Sequence, residues 1–236
     1  NKDFDYNNGS YLSRIQIGNP LGSLYGFRYK GVYQYNYNTT WSVEDWDAAK
    51  SNLPEGKQLH DLYPVACDDQ GNTLYGTDGR PLRMVYNYKD GAATYAFRGG
   101  DAAYEDINSD GNINQLDIVY LGNSNPKMQG GFGLTLQYKR LSLKSQFTYR
   151  YGVDVLNTAR MNVENMYTNN NQSYAVNWRW RKDGDPETCL PRALYGTGYN
   201  WLGSDRYLED ASYLRMSYLQ LSYSVDPSIL KKYGLN

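Results

Sequence analysis

Oxygen-bearing side chains are gathered most densely at residues 106–117, which read Asp-Ile-Asn-Ser-Asp-Gly-Asn-Ile-Asn-Gln-Leu-Asp. Asp106, Asn108 and Asp110 stand at alternate positions, Gly111 follows, and Asp117 closes the run. A chain that coils tightly here brings the three alternate side chains together. The glycine permits the turn, and the residue after it offers its backbone carbonyl. The ligands would be Asp106, Asn108, Asp110, the Asn112 carbonyl and Asp117, and hard oxygen donors of this kind select Ca²⁺ over softer metals. Asp117 is shorter than the Glu usual at the closing position, which predicts contact through one oxygen or a water and a weaker site. The competing reading is an Asp/Asn/Gly turn whose side chains cap its own backbone. An EF-hand proper does not fit, because no amphipathic helix flanks the run. A dockerin-like arrangement does not fit either, because there is a single copy.

Trp178, Trp180 and Trp201, with Tyr195 and Tyr199, form a second concentration of chemistry. Their rings suit stacking on sugars, packing on peptides or on a partner, or packing on the protein's own surface. His60 is the sole histidine, and no Ser or Cys stands in a recognisable relation to it, so a catalytic triad is not arguable. Glu44-Asp45 and Glu209-Asp210 are neighbours in sequence and need no catalytic reading. With no nucleophile motif, phosphate loop or zinc pattern, no enzyme is expected. Cys67 and Cys189 fit one disulfide in an oxidising compartment or two free thiols. A net charge of −1 argues against a nucleic-acid partner.

The elements that must carry these residues are written most clearly at 130–151. Phe132, Leu134, Leu136 and Tyr138 alternate with Gly133, Thr135, Gln137 and Lys139. Leu141, Leu143, Phe147, Tyr149 and Tyr151 alternate with Ser142, Lys144, Gln146, Thr148 and Arg150, and Ser145 alone interrupts the apolar set. Alternation with a period of two predicts antiparallel strands near 130–139 and 141–151, each with one apolar face. Lys139 and Arg140 at the join leave room for a very short turn. The pattern suits a half-buried strand of a soluble sandwich. The other source of such a pattern is a transmembrane barrel strand of about 9–11 residues, apolar toward lipid and polar toward the lumen, and from the alternation alone the soluble sheet is favoured as the commoner case.

Further strands are expected near 10–18, from Tyr11, Ile15 and Ile17, and near 213–225, from Leu219, Leu221, Tyr223 and Val225. Residues 21–34 are a Gly- and Tyr-rich extended stretch. Ser42-Val43-Glu44-Asp45 resembles a capping box that opens a short helix to about residue 50. Turn signals at 69–72 and 78–81 predict small hairpins. A helix is expected near 156–167, with Leu156, Ala159, Val163, Met166 and Tyr167 on one face and Thr158 as its cap. Residues 227–234 read as a turn or a single helical turn.

Composition narrows the class. The chain has 236 residues, of which 26 are Tyr. Tyr favours strands and wet interfaces. No run approaches the ~18 apolar residues of a membrane-spanning helix, which leaves a barrel open. The chain starts in mid-pattern and stops just after a turn-like stretch, and is expected to be part of a longer protein. The layout then decides between sandwich and barrel. The segments between clean strands, 19–129 and 152–212, are far longer than the ~2–6 residues common in sandwiches. Tight turns on one side and long loops on the other are the plan of an outer-membrane barrel.

Three stretches resemble a known family when taken in order. They are residues 18–34, residues 106–143 with their Gly-Asn-Ser-Asn-Pro-Lys step into a strand, and residues 204–225 with Asp-Arg-Tyr-Leu-Glu-Asp-Ala-Ser-Tyr-Leu-Arg. Together they are similar to the carboxyl-terminal region of SusC/RagA-type TonB-dependent transporters, outer-membrane proteins of the Bacteroidetes. The resemblance implies an all-β fold, with residues 1–236 forming part of a large antiparallel transmembrane β-barrel. Long extracellular loops carry short helices, and the plug domain and TonB box lie outside this stretch. It implies active import of glycans or peptides energised through TonB, with a SusD-like surface lipoprotein as lid and outer-membrane lipid around the strands. Trp178, Trp180, Tyr195 and Trp201 would then lie on loops that meet substrate or lid. Phe132, Leu134, Leu136, Tyr138, Leu141, Leu143, Phe147, Tyr149 and Tyr151 would face lipid, and Lys139-Arg140 would form the periplasmic turn. The alternative from a different class is a soluble, Ca²⁺-dependent, β-rich carbohydrate-binding or docking module.

Overall fold

The computed structural model describes residues 12, 15–34, 51, 53–87, 94–182, 184–185 and 190–234. The helix expected to open at Ser42, the residues Tyr11 and Arg14 of the first expected strand, and Cys189 lie outside them. Cys67 carries a free thiol. The described strands are β1 (Ser23–Gly26), β2 (Tyr29–Val32), β3 (Val85–Tyr86), β4 (Tyr95–Ala96), β5 (Ala102–Tyr104), β6 (Asn112–Ile113) and β7 (Val119–Asn123). They continue with β8 (Met128–Tyr138), β9 (Leu141–Tyr151), β10 (Asp154–Leu156), β11 (Leu208–Asp210) and β12 (Tyr213–Tyr223). Short helices are α1 (Leu59–Leu62), α2 (Thr158–Glu164) and α3 (Pro227–Lys232). The chain divides into two compact units, one of residues 1–19, 23–121 and 156–208, the other of residues 20–22, 122–155 and 209–236.

The second unit is a three-stranded antiparallel sheet in the order β12-β9-β8. Each strand has 11 residues, the length that crosses a bilayer when tilted. β8 and β9 pair without a slip from Met128↔Tyr151 to Tyr138↔Leu141, through a turn of Lys139 and Arg140 with Lys139 in the left-handed region. The register puts Phe132 opposite Phe147, their rings stacked at 5.0 Å, and Leu136 opposite Leu143. Gly130 leaves room for the Tyr149 ring lying over it. On β12 the register shifts between Met216 and Tyr218, so Ser217 is an extra residue. The shift has a consequence for the faces. Leu214 and Met216 lie opposite Tyr149 and Phe147, and Leu219, Leu221 and Tyr223 lie opposite Ser145, Leu143 and Leu141. Without the bulge the alternation would turn one half of β12 the wrong way.

The first unit folds much of the stretches 19–129 and 152–212 around an interior of its own. The Gly- and Tyr-rich stretch makes β1 and β2, and β2 pairs antiparallel with β5. The two turn signals close a nested set of bridges, Val65 with Arg83, Cys67 with Thr73 and Tyr75 with Pro81. β4 pairs antiparallel and β6 parallel with β3. The core is aromatic, with Tyr25, Phe27, Tyr33, Tyr86, Phe97 and Tyr104 buried beside Met84 and Ile113. Buried Tyr needs a partner for its hydroxyl. Tyr104 Oη donates to the Tyr199 carbonyl at 3.0 Å and accepts from the Leu202 amide, and Tyr25 Oη accepts from Asn19 Nδ2 at 2.8 Å. Tyr thus builds part of this interior as well as exposed surface elsewhere. α2 is shorter than expected, and its cap is Asn157, whose side chain accepts from the Arg160 amide, one residue before Thr158.

Candidate functional site

The acidic loop of the first unit is tightly coiled. Asp106 accepts from the Gly111 amide at 2.7 Å and from the Asp110 amide at 3.3 Å. Asp110 accepts from the Asn112 amide at 2.7 Å and from Asn108 Nδ2 at 2.8 Å. Asp117 is fully buried, with one oxygen on the Ile107 amide and the other on the Asn114 amide, both at 2.8 Å. Gly111 stands at φ 78°, which a side chain would resist. Burial pushes the carboxyls of both Asp106 and Asp117 above the ordinary range, against the opposing pull of those amides. Asn112 Oδ1 is buried without a hydrogen-bond partner. Among the described residues no three His, Cys, Asp or Glu side chains stand in a metal-holding arrangement. The loop contains β6 and a single 3₁₀ turn at Gln115–Asp117, and the elements that flank it are the strands β5 and β7 rather than α-helices.

The aromatic candidates separate. Trp178 is 58% exposed and meets Tyr174 edge to face at 4.9 Å. Tyr195 is exposed, its hydroxyl 3.3 Å from Asn169 Nδ2. Trp201 is half-buried between Tyr167 and Tyr199 on the wall of a cavity of about 250 Å³ that Tyr95 and Thr197 also line. Trp180 is only 1% exposed and packs beside Val32 against Gly100, so its indole holds the interior together and offers no face to a ligand. Two positions separate Trp178 from Trp180, yet a 3₁₀ turn at Tyr174–Trp178 ends between them and sends the second ring inward.

Several residues of the recurrent motifs act as locks, which their types alone did not announce. Asp205 accepts from the Tyr29 amide at 2.8 Å. Arg206 lies over the Tyr29 ring at 5.1 Å and pairs with buried Glu164 at 3.2 Å, and Glu164 also holds Arg160 at 2.9 Å. The motif beginning at Asp205 thus ties β2 to α2. Asp101, fully buried, accepts from Tyr95 Oη at 2.7 Å, Arg192 Nε at 2.7 Å, the Arg98 amide at 2.9 Å and Asn200 Nδ2 at 3.3 Å. In the second unit, Asn125 Nδ2 donates to the Leu21 carbonyl at 2.7 Å, and the Ser124 amide and hydroxyl reach the Gly22 carbonyl. The Gly-Asn-Pro-Leu-Gly and Gly-Asn-Ser-Asn-Pro-Lys stretches are therefore hydrogen-bonded to each other.

On the sheet, one face is continuously apolar and bare. Phe132, Leu134, Leu136, Tyr138, Leu141, Leu214, Met216, Leu219, Leu221 and Tyr223 are exposed on it, and Ser145 is the small residue sunk among them. The opposite face carries Gln129, Thr135, Gln137, Lys144, Gln146, Thr148, Arg150 and Gln220. Tyr138 and Tyr223 mark the turn end of the apolar face, and Tyr151 marks the other. Ten residue steps separate Tyr138 from Met128, the partner of Tyr151. At ~3.4 Å per step and a tilt of ~40° that is ~25 Å, the height of the apolar band of an outer-membrane barrel.

These features define a class: long, antiparallel, all-β strands of transmembrane-barrel type. The comparisons agree. The fold is similar to that of the RagAB peptide importer in its closed-closed state, with a TM-score of 0.51 and 21% identity over 95% of this chain and 19% of that one. It is similar to the same importer in its open-open state, with a TM-score of 0.50 and 17% identity over 95% and 18%. RagA is a TonB-dependent transporter, and the architecture here is that of such barrels. No protein-family model matches the chain. In sequence the chain is similar to three TonB-dependent receptors of Formosa agariphila. One is 27% identical over 97% of this chain, a second 25% over 96%, and a third 33% over 53%. The chain spans 21%, 18% and 13% of the length of these relatives. They are receptors rather than enzymes.

Proposed function

We propose that this chain is a barrel portion of an outer-membrane, TonB-dependent transporter that imports nutrient glycans or peptides. The observation that carries the reading is the bare apolar face of β8, β9 and β12, bounded by Tyr at both ends. In water such a face is a liability, whereas lipid solvates it. A soluble carbohydrate-binding module would leave it uncovered. The open edges of the sheet pair with strands elsewhere in the transporter, since an unpaired edge is not tolerated in lipid. On this reading the long segments are extracellular loops, and Trp178, Tyr195 and Trp201 meet substrate or a SusD-like lipoprotein lid. Likeness to RagAB, a receptor with a lipoprotein partner, supports the lid. RagAB is a peptide importer, which makes peptides the first substrates to try.

The test is uptake by cells that produce the complete transporter, offered a panel of oligopeptides and oligosaccharides, with and without TonB and the neighbouring lipoprotein. Accumulation that requires both partners supports the reading. Uptake of nothing, by a protein that stays soluble without detergent, would overturn it.

A second proposal concerns the acidic loop: Asp106, Asn108, Asp110, the Asn112 carbonyl and Asp117 hold Ca²⁺. The tight coil that brings Asp106, Asn108 and Asp110 together, with the raised carboxyls of Asp106 and Asp117, supports it, because a cation would favour their charged forms. Titration of Ca²⁺ against the transporter's melting temperature tests it.

A further inference from the structure

We infer that the turn end of the sheet, together with α3, is a docking surface for anionic phospholipid headgroups. The inference rests on the membrane placement of the sheet and adds a lipid preference to it. Four cations gather at this end, Lys139 and Arg140 in the hairpin turn and Lys231 and Lys232 in the last turn of α3. The one acid among them, Asp226, is already engaged. It pairs with Arg140 and caps α3 by accepting from the Ser228 amide at 3.0 Å and the Ser228 hydroxyl at 2.8 Å. The Ser224 amide donates to the Arg140 carbonyl at 2.9 Å, so the start of α3 is fastened to the hairpin turn. The opposite end of the same unit is acidic by contrast, with Asp154, Glu209 and Asp210 beside Lys127 and Arg150.

The cations sit where the apolar band stops. Tyr138 and Tyr223 close the band, and Lys139 Nζ lies 5.4 Å from the centroid of the Tyr138 ring. Ile229 of α3 and Tyr233, the residue that caps its C-terminal end, are exposed four positions apart, so this segment has an apolar side of its own. Leu230 is half-buried. An apolar side, a flanking Tyr and Lys stems that carry their charges outward are the make-up of an interfacial segment. Tyr and Lys at this depth meet the headgroup layer, where the partner complementary to Lys139, Lys231 and Lys232, which have no acidic partner among the described residues, is a phosphodiester with net negative charge. A zwitterionic headgroup offers no such net attraction.

The experiment uses the complete transporter in nanodiscs of phosphatidylcholine alone or mixed with phosphatidylglycerol, with lipid retention read by native mass spectrometry. Each surface cation is worth about fivefold in affinity for an anionic surface. The doubly neutralised Lys231→Gln/Lys232→Gln protein is expected to lose fivefold or more of the preference for phosphatidylglycerol, and Lys139→Gln a smaller share. Neutralising Lys127 and Arg150 at the other end is expected to change it less than twofold. A preference that survives Lys231→Gln/Lys232→Gln, or falls equally with the far-end control, overturns the inference. Quenching by brominated lipid at the Leu219 position separates the two levels. If Leu219 is lipid-shielded but the preference is unmoved, only the headgroup surface is wrong. If Leu219 is not shielded, the membrane placement falls with it.

Discussion

Leu219→Arg, set against Gln220→Arg, puts a number on the membrane placement. The two positions are adjacent on β12 and face opposite sides, Leu219 opposite Ser145 on the apolar face and Gln220 opposite Lys144 on the polar one. Leu219 is 58% exposed in the chain, so the change breaks no packing. It lies four residue steps from Tyr223 at the turn end. At ~3.4 Å per step and ~40° of tilt, that is ~10 Å inside a band ~25 Å tall, close to its midplane. An Arg on the lipid face at that depth costs about 2–4 kcal/mol, and one near the interface about 0–1. Were the face bathed in water, a surface Leu→Arg change would stay within about 0.5 kcal/mol. The assay is reversible folding of the complete transporter into vesicles, followed against denaturant. The expected order of cost is Leu219→Arg well above Tyr223→Arg, with Gln220→Arg near zero. Equal costs for Leu219→Arg and Gln220→Arg would refute the assignment of faces, and with it the role given to the bulge at Ser217.

The other predictions probe the first unit and its loop. Gly100→Ala meets both φ 82° and the Trp180 ring, and is expected to destabilise by about 2–4 kcal/mol, read by tryptophan fluorescence on melting; a neutral result would contradict the buried placement of Trp180. Arg206→Ala leaves Glu164 buried with Arg160 as its remaining cation, and is expected to cost about 3 kcal/mol. Arg206→Lys should not restore it, since a point charge cannot both pair with Glu164 and lie flat over Tyr29; full rescue by Lys would argue against that geometry. For the acidic loop the sign follows from burial, which raises the folded-state carboxyls of Asp106 and Asp117 above 3.8. Such groups favour the folded state below the unfolded value, and that stability is lost as pH rises toward the folded value. Bound Ca²⁺ offsets the loss, so its effect on the melting temperature should grow from acid to neutral pH. A rise that is absent, or the same at both, would sink the metal reading.

The strands that cross the sheet were legible because alternation is local: Phe132 to Tyr138 and Leu141 to Tyr151 show their faces without any knowledge of their neighbours. The bulge at Ser217 was not. Leu214, Met216, Leu219 and Leu221 share a face only once the pairing with β9 is known. The interior of the first unit was equally hidden. Its core is built from Tyr and Phe whose polar partners lie far off in sequence, as with Tyr104 and the Tyr199 carbonyl, so no period marks it. The difference between exposed Trp178 and buried Trp180 rests on a turn and on the space left by Gly100, which no side-chain pattern records. Asn157 displaced Thr158 as the cap of α2 because both are good capping residues, and boundaries of a short helix are settled by the backbone. The acidic loop was readable in its coiling and its glycine. Its amide contacts, which already use oxygens of Asp106 and Asp117, appear only in three dimensions.

The most direct test of the membrane placement is a nitroxide scan along β12 in the complete transporter, with Cys67 and Cys189 replaced and the protein reconstituted in vesicles. Collision with lipid-dissolved oxygen is compared with collision with an aqueous nickel reagent at each position from Leu214 to Tyr223. The expected profile alternates with a period of two, puts Leu214, Met216, Leu219 and Leu221 in lipid, and changes phase at Ser217. Aqueous access along the whole strand, or an alternation unbroken at Ser217, would contradict it.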